Sequence, residues 1–169
     1  MDATALRSLQ APLKDRYRSD PNAAVITLKA EGSLDDQSIA CKVETGRALA
    51  VAGLHPATGG SGAELCSGDM LLEALVACAG VTLKAVATAL EIPLREGRVR
   101  AEGDLDFRGT LGVDKEAPVG FAEIRLRFEV GTDAPQDKLD LLLKLTERYC
   151  VVYQTIKNGP KITVTMKRV

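Results

Sequence analysis

Between Met70 and Leu90 the chain carries only two charges, Glu73 and Lys84, in an otherwise apolar and small-residue run. Leu71, Leu72, Leu75, Val76, Ala79, Leu83, Val86 and Leu90 recur at helical spacing, which predicts a long helix over 69–91 with Ser67 as N-cap and Pro93 as terminator. A helix with so little charged surface must be buried on most of its sides, so the rest of the fold has to be built around it. The chain has 169 residues, of which 46% are hydrophobic and 27% charged, enough for one soluble domain that needs no staples. Gly80, in mid-helix, costs about 1 kcal/mol relative to Ala, which predicts close approach by a backbone or ligand beside Cys78, or plain helix packing.

The segments around this helix alternate at period two. Ala24–Ala30 and Ile39–Glu44 read as strands of a hairpin, with Asp35 and Asp36 in its turn, and Arg47–Ala52 reads as a third strand. Pro56, Gly59, Gly60 and Gly62 force a loop before the helix. Beyond Pro93, Val99, Ala101, Gly103, Leu105 and Phe107 alternate with charged residues, and 121–130 repeats the pattern, so two long strands pair and set their charges on a wet face. A second helix is expected from Thr132 or Asp133 through Tyr149, with Pro135 in its first turn, then a short continuation ending at Asn158-Gly159-Pro160. A closing strand is predicted at 161–167, with Ile162, Val164 and Met166 on one face. This order is α+β: two small antiparallel sheets around a long central buried helix. Residues 1–22 are expected to form an N-terminal helical arm, interrupted by Pro12, and 23–169 a single domain.

Charge and targeting features exclude several classes. Lys and Arg number 22 against 23 Asp and Glu, without a basic stripe to follow a phosphate backbone, so nucleic acid is not an expected partner. The first residues, Met1-Asp2-Ala3-Thr4-Ala5-Leu6-Arg7, lack the basic start and apolar run of a signal peptide, and no membrane association is expected. The expected compartment is the reducing cytoplasm, where an oxidisable cysteine pair reads as redox-active rather than structural.

One histidine, His55, and four cysteines direct attention to sulfur, because thiolate chemistry needs only a cysteine and a field to ionise it. Cys41, Cys66, Cys78 and Cys150 are widely spread and form no CxxC. Cys78 stands in Ala77-Cys78-Ala79-Gly80 on the central helix, and Cys150 follows Glu147-Arg148-Tyr149 where the second helix meets its continuation. Each taken alone reads first as a core cysteine. A working pair would need the fold to bring their Cα atoms within about 7 Å.

Gly59-Gly60 followed by Gly68-Asp69-Met70-Leu71-Leu72-Glu73-Ala74-Leu75-Val76-Ala77-Cys78 resembles the signature of the OsmC/Ohr family of osmotically induced and organic-hydroperoxide-resistance proteins. Gly103-Asp104-Leu105-Asp106, Val119-Gly120-Phe121 and Glu147-Arg148-Tyr149-Cys150-Val151-Val152 look like that family's second half. The resemblance implies an OsmC-like fold in an intertwined homodimer. It further implies thiol-dependent reduction of organic hydroperoxides or hydrogen peroxide, without metal, haem, flavin or other cofactor. By that carry-over Cys78 is the peroxidatic thiolate, Cys150 the resolving cysteine and Asp69 a supporting acid, and an external dithiol is the reductant.

Two positions depart from the family pattern. The expected first hairpin turn, Glu31 to Gln37, has no Arg to pair with the thiolate, and Arg16, Arg18, Arg47 and Arg148 remain as candidate cations. Val151 stands where many relatives carry proline. Without a cation, Cys78 in an apolar helix is expected to have a raised pKa. That departure favours the alternative, a non-enzymatic OsmC-fold protein that binds a small apolar ligand or senses redox state. Cys41 and Cys66 receive no role, and His55 reads as a loop residue.

Overall fold

The computed structural model describes residues 2–19, 31–34, 40–44, 49–112 and 114–168. The elements in chain order are α1 (Ala3–Ser19), β1 (Glu31–Leu34), β2 (Ala40–Glu44), β3 (Leu49–Gly53), a 3-10 turn (Pro56–Thr58), β4 (Leu65–Cys66), α2 (Ser67–Ala89), β5 (Glu96–Leu105), α3 (Phe107–Thr110), β6 (Phe121–Gly131), α4 (Gln136–Tyr149) and α5 (Val151–Asn158). One sheet has the order β1-β2-β3-β4 and the other is the β5-β6 ribbon. The architecture is α+β with α2 at its centre, as the sequence predicts.

The β5–β6 ribbon follows directly from the alternation. Val99 faces Phe128 and Ala101 faces Leu126, while Glu102 faces Arg125 and Asp104 faces Glu123, so one side is apolar and the other charged. On the charged side Arg125 binds Asp104 at 2.7 Å and Glu123 at 3.0 Å. Gly103 has to be glycine: a Cβ there would lie 2.5 Å from the ring of Phe121, which covers it.

The helix α2 places Leu75, Ala79, Leu83, Val86 and Ala87 on its buried face. Leu83, Val86 and Ala87 join Ile92 and Leu142 in the core, flanked by Phe128, Val130 and Leu139. Burial on most sides is not what a single copy provides: Val81 is 72% exposed and Leu71 is also exposed. Gly80 meets a side chain rather than a backbone, since a Cβ there would stand 3.7 Å from Val99 Cγ2, an ordinary helix-on-sheet contact. The helix begins at Ser67 instead of 69, so Ser67 is not its cap. Cys66 occupies the N-cap position without a side-chain hydrogen bond.

Other boundaries also move. The arm is one helix that continues through Pro12, and it rests against α2, with Ala3 buried and Arg7 paired to Glu91 at 3.1 Å. The first hairpin lies later in the chain than expected. Glu31–Leu34, assigned to the turn from sequence, is its first described strand and runs antiparallel to Ala40–Glu44, while 24–30 and the turn at 35–39 lie outside the described residues. A short strand in the glycine-rich loop, β4, pairs in parallel with β3 and was not expected. The closing strand does not form: 161–168 pairs with no strand among the described residues, and Ile162, Val164 and Met166 are 79%, 86% and 100% exposed. A strand needs a neighbour for its N–H and C=O groups, and none is offered to this segment within one copy.

Candidate active site at the junction of two helices

The site is made where α4 gives way to α5. Cys150, at φ −72° and ψ 106°, is extended and therefore ends α4 and starts α5 at a single residue. Its N–H still donates to the Thr146 carbonyl at 2.9 Å, and its carbonyl already accepts from the Gln154 N–H at 2.9 Å. The Gln154 side chain donates to the Glu147 carbonyl at 2.7 Å, tying the two helices together across the break. Thr146 is buried and donates from Oγ1 to the Leu142 carbonyl at 2.8 Å, so the last turn of α4 is anchored in the core.

A helix starts with N–H groups that have no partner inside the helix. In α5 these donors are spent on sulfur. The Cys78 sulfur, half-buried on α2, accepts from the backbone N–H groups of Val152 and Val151, and the Cys150 sulfur accepts from Tyr153 and Val152. The two cysteine side chains hydrogen-bond to each other, and the Thr82 hydroxyl also reaches the Cys78 sulfur. Cys150 is 1% exposed, whereas Cys78 keeps access to solvent.

The electrostatics separate the two thiols. Burial pushes the Cys78 thiol up, but the Val152 N–H, the Cys150 side chain, the Val151 N–H and the Thr82 hydroxyl together hold it below the ordinary thiol range. Burial pushes Cys150 up, the neighbouring Cys78 adds to that rise, and the N–H groups of Tyr153 and Val152 offset only part of it. The proton of the pair therefore resides on Cys150, and Cys78 is the thiolate. The expectation of a raised Cys78 pKa is overturned, because the positive end of α5 supplies what a cation would have supplied.

The candidate cations do not share this role on equal terms. Arg148 lies over the ring of Tyr149, 5.8 Å from its centroid. Arg47 and the side chains of Arg16 and Arg18 lie outside the described residues. Asp69 sits in the first turn of α2, about two and a half turns ahead of Cys78 and on the opposite side of the helix. It lines a shallow recess with Glu73, Ala77 and Ala101 instead. Thr82, Val151 and Val152 were missed from sequence. Thr82 had a signal, since it lies four residues after Cys78 and thus on the same helix face. The two valines had none, because their contribution is a backbone N–H.

The remaining sequence candidates lie elsewhere. His55 caps the 3-10 turn, with Nδ1 accepting from the Ala57 N–H at 3.0 Å, and stacks on Phe107 with ring centroids 5.0 Å apart. Cys66 ends β4 at the start of α2, and Cys41 lies in β2 opposite Leu34 and Ala52. A groove of about 700 Å³ opens between β6, α2, α4 and α5, lined by residues that include Leu83, Phe128 and Leu142, with Tyr153 and Lys157 among its polar members.

Known proteins with this arrangement are distant in sequence. No curated protein matches the chain. Among solved structures, an OsmC-like protein from Mycoplasma pneumoniae is similar with a TM-score of 0.65 at 16% identity, covering 79% of this chain and 89% of its own. An organic hydroperoxide resistance protein OsmC from Legionella pneumophila gives 0.61 at 16% identity over 80% and 92%, and OhrB of Bacillus subtilis, an organic hydroperoxide resistance protein, gives 0.52 at 17% over 79% and 93%. These likenesses establish the fold. Residues 60–165, a span that contains both Cys78 and Cys150, match the OsmC family itself, and the chain belongs to the family of OsmC-like proteins.

Proposed function

We propose that the protein is a cysteine-based peroxidase that reduces organic hydroperoxides or hydrogen peroxide. The observation that carries this reading is the hydrogen-bonded pair itself, with Cys78 held as thiolate by α5 and Cys150 kept protonated beside it. The Cys78 thiolate attacks the outer oxygen of the peroxide, the O–O bond breaks, and the sulfur is oxidised to a sulfenic acid as an alkoxide departs. The proton for that alkoxide comes from Cys150, which thereby becomes a thiolate next to the sulfenic acid. It attacks the Cys78 sulfur, forms the disulfide and releases hydroxide, so one peroxide yields one alcohol and one hydroxide for two oxidised thiols. An external dithiol then reduces the disulfide and is itself oxidised to a disulfide. No metal, haem or flavin is required. Asp69 takes no direct part in these steps; as an acid in the first turn of α2, it favours that helix's positive end.

The working unit in this reading is a homodimer in the reducing cytoplasm. Two observations support the dimer: the most apolar window of α2 is only 22% buried in one copy, and the row Ile162, Val164 and Met166 is fully presented with no strand to pair with. A second copy covers both at once.

The test is consumption of cumene hydroperoxide and of hydrogen peroxide by the purified protein with a dithiol, followed by peptide mass mapping. The expected product is an intramolecular Cys78–Cys150 disulfide, with turnover abolished in Cys78→Ser. Absence of consumption with every dithiol tried overturns the reading. The alternative, a binder of small apolar molecules without turnover, has the 700 Å³ groove in its favour, and saturable binding of an apolar fluorophore without peroxide consumption would establish it.

A further inference from the structure

Thr82 lies one turn beyond Cys78 on α2, partly buried, with its hydroxyl directed back along the helix. Oγ1 donates to the Cys78 carbonyl at 2.7 Å, and the same hydroxyl is in hydrogen-bonding contact with the Cys78 sulfur. A hydroxyl has one proton and two lone pairs, and its hydrogen turns about the C–O bond without moving a heavy atom. It cannot donate to the carbonyl and to the sulfur together. The carbonyl is an acceptor in every state, but the sulfur becomes a strong acceptor only when it carries charge, because hydrogen bonds to ionised groups are roughly twice as strong as neutral ones. While Cys78 is a thiol, the proton of Thr82 belongs to the carbonyl. Once Cys78 ionises, the better partner is the sulfur.

We infer that Thr82 is a thiolate-stabilising residue of this site, whose hydroxyl swings its proton from the Cys78 carbonyl to the Cys78 sulfur when the thiolate forms. It complements the donors of α5 from the other side, since Val151 and Val152 approach the sulfur from a different helix and Thr82 from α2 itself. The inference rests on the reading of Cys78 as a thiolate nucleophile. Among the described residues, the titratable group that meets Cys78 is Cys150, from the α4–α5 junction. No charged side chain of β5, α4 or α5 is among the groups that shift it. The pH response of Cys78 therefore reports on a small set of donors: two backbone N–H groups, one thiol and one hydroxyl.

The test is the pH profile of Cys78 alkylation by iodoacetamide, followed peptide by peptide by mass spectrometry in the full chain. Thr82→Val and Thr82→Ala remove the hydroxyl, and Thr82→Ser keeps it. The midpoint for Cys78 is expected to rise by about one pH unit in the first two, leaving roughly tenfold less thiolate at neutral pH, and to stay at the wild-type value in Thr82→Ser. The Cys66 profile should be unchanged in all three, which separates a local effect from a disturbed fold. Thr82→Ala, which adds no bulk, decides the matter where Thr82→Val perturbs packing. An unshifted Cys78 midpoint in Thr82→Ala, or a shift in Thr82→Ser as large as in Thr82→Ala, overturns the inference. Hydroperoxide consumption measured on the same proteins keeps the two readings apart. A shifted midpoint without any consumption removes the peroxidase and leaves Thr82 in place, and consumption with an unshifted midpoint does the reverse.

Discussion

Val151 presents its backbone N–H to the sulfur of Cys78, and it is the first residue of a helix whose N-cap is Cys150. The first helical position is the one place where proline removes that donor at little structural expense, because its φ is already suited to the helix and its N–H has no partner there. Cys150, at ψ 106°, is extended, as the residue before a proline must be. Val151→Pro is therefore expected to fold, with an unchanged far-ultraviolet spectrum, while the Cys78 alkylation midpoint rises by about one pH unit through the lost hydrogen bond to a charged acceptor. An unchanged midpoint would show that the N–H does not support the thiolate.

The two thiols should also separate in their dependence on pH. Because Cys78 is held below the ordinary thiol range and Cys150 above it, alkylation of Cys78 should be half-maximal below about pH 8.5, with Cys150 still protonated there. The sign for stability follows from linkage. The depressed pKa of Cys78 stabilises the fold above its unfolded value, and this contribution disappears as pH falls through the folded value. For Cys150 the direction is opposite: its contribution is present below the unfolded value and disappears as pH rises through the folded one. Urea midpoints of Cys78→Ser and wild type measured from pH 6 to 9 should diverge towards the alkaline end.

The buried position of Cys150 sets the fate of the oxidised enzyme. Cys150→Ser removes the capturing thiol but leaves the N-terminal donors of α5 in place, so one equivalent of hydroperoxide should convert Cys78 to a sulfenic acid that persists and reacts with dimedone. Excess peroxide should then carry it to the sulfinic acid. Wild-type protein under the same conditions should show disulfide and no dimedone adduct. Equal dimedone labelling of both proteins would mean that Cys150 does not resolve the sulfenate.

The core beneath the site gives a prediction of stability. Leu142 is buried on α4 against Leu83, Val86 and Ala87 of α2, and Thr146 one turn later anchors the segment that presents Cys150. Leu142→Ala leaves a cavity between the two helices and is expected to destabilise the fold by about 2–5 kcal/mol in urea titrations. The loss should be accompanied by slower disulfide formation, since the α4–α5 junction loses its support.

What the sequence made legible divides along physical lines. The central helix, the β5–β6 ribbon and the association of Cys78 with Cys150 were legible because each rests on side chains: apolar periodicity, alternation, and two cysteines in distinctive contexts. The first hairpin was displaced along the chain because the polar stretch Glu31–Leu34 reads as a turn by composition, while the ladder with β2 recruits it through backbone groups. The same blindness hid the support of the thiolate. The search was for an Arg in a hairpin, and the donors found are the N–H groups of two valines, which have no side-chain signature. Thr82 was within reach of helix geometry alone, four residues after Cys78, and was overlooked because threonine in a helix commonly bonds its own backbone, as this one also does.

The C-terminal segment supplies the last prediction, since its pattern and its surroundings disagree. Ile162, Val164 and Met166 alternate with Lys161, Thr163, Thr165 and Lys167, a row suited to the edge of a sheet with one apolar face. Yet within one copy no strand among the described residues accepts it, and all three apolar side chains stand in solvent. A sequence with strand periodicity and no intrachain partner is most economically satisfied by a second copy, whose sheet edges offer unpaired N–H and C=O groups. The full chain should therefore run as a dimer in light scattering at micromolar concentration. Removal of 161–169, or the triple change of Ile162, Val164 and Met166 to Ser, should shift it towards the monomer and expose apolar surface that binds a hydrophobic dye. A full-length monomer at that concentration would refute the assignment, as would a truncated chain that dimerises as tightly as the intact one.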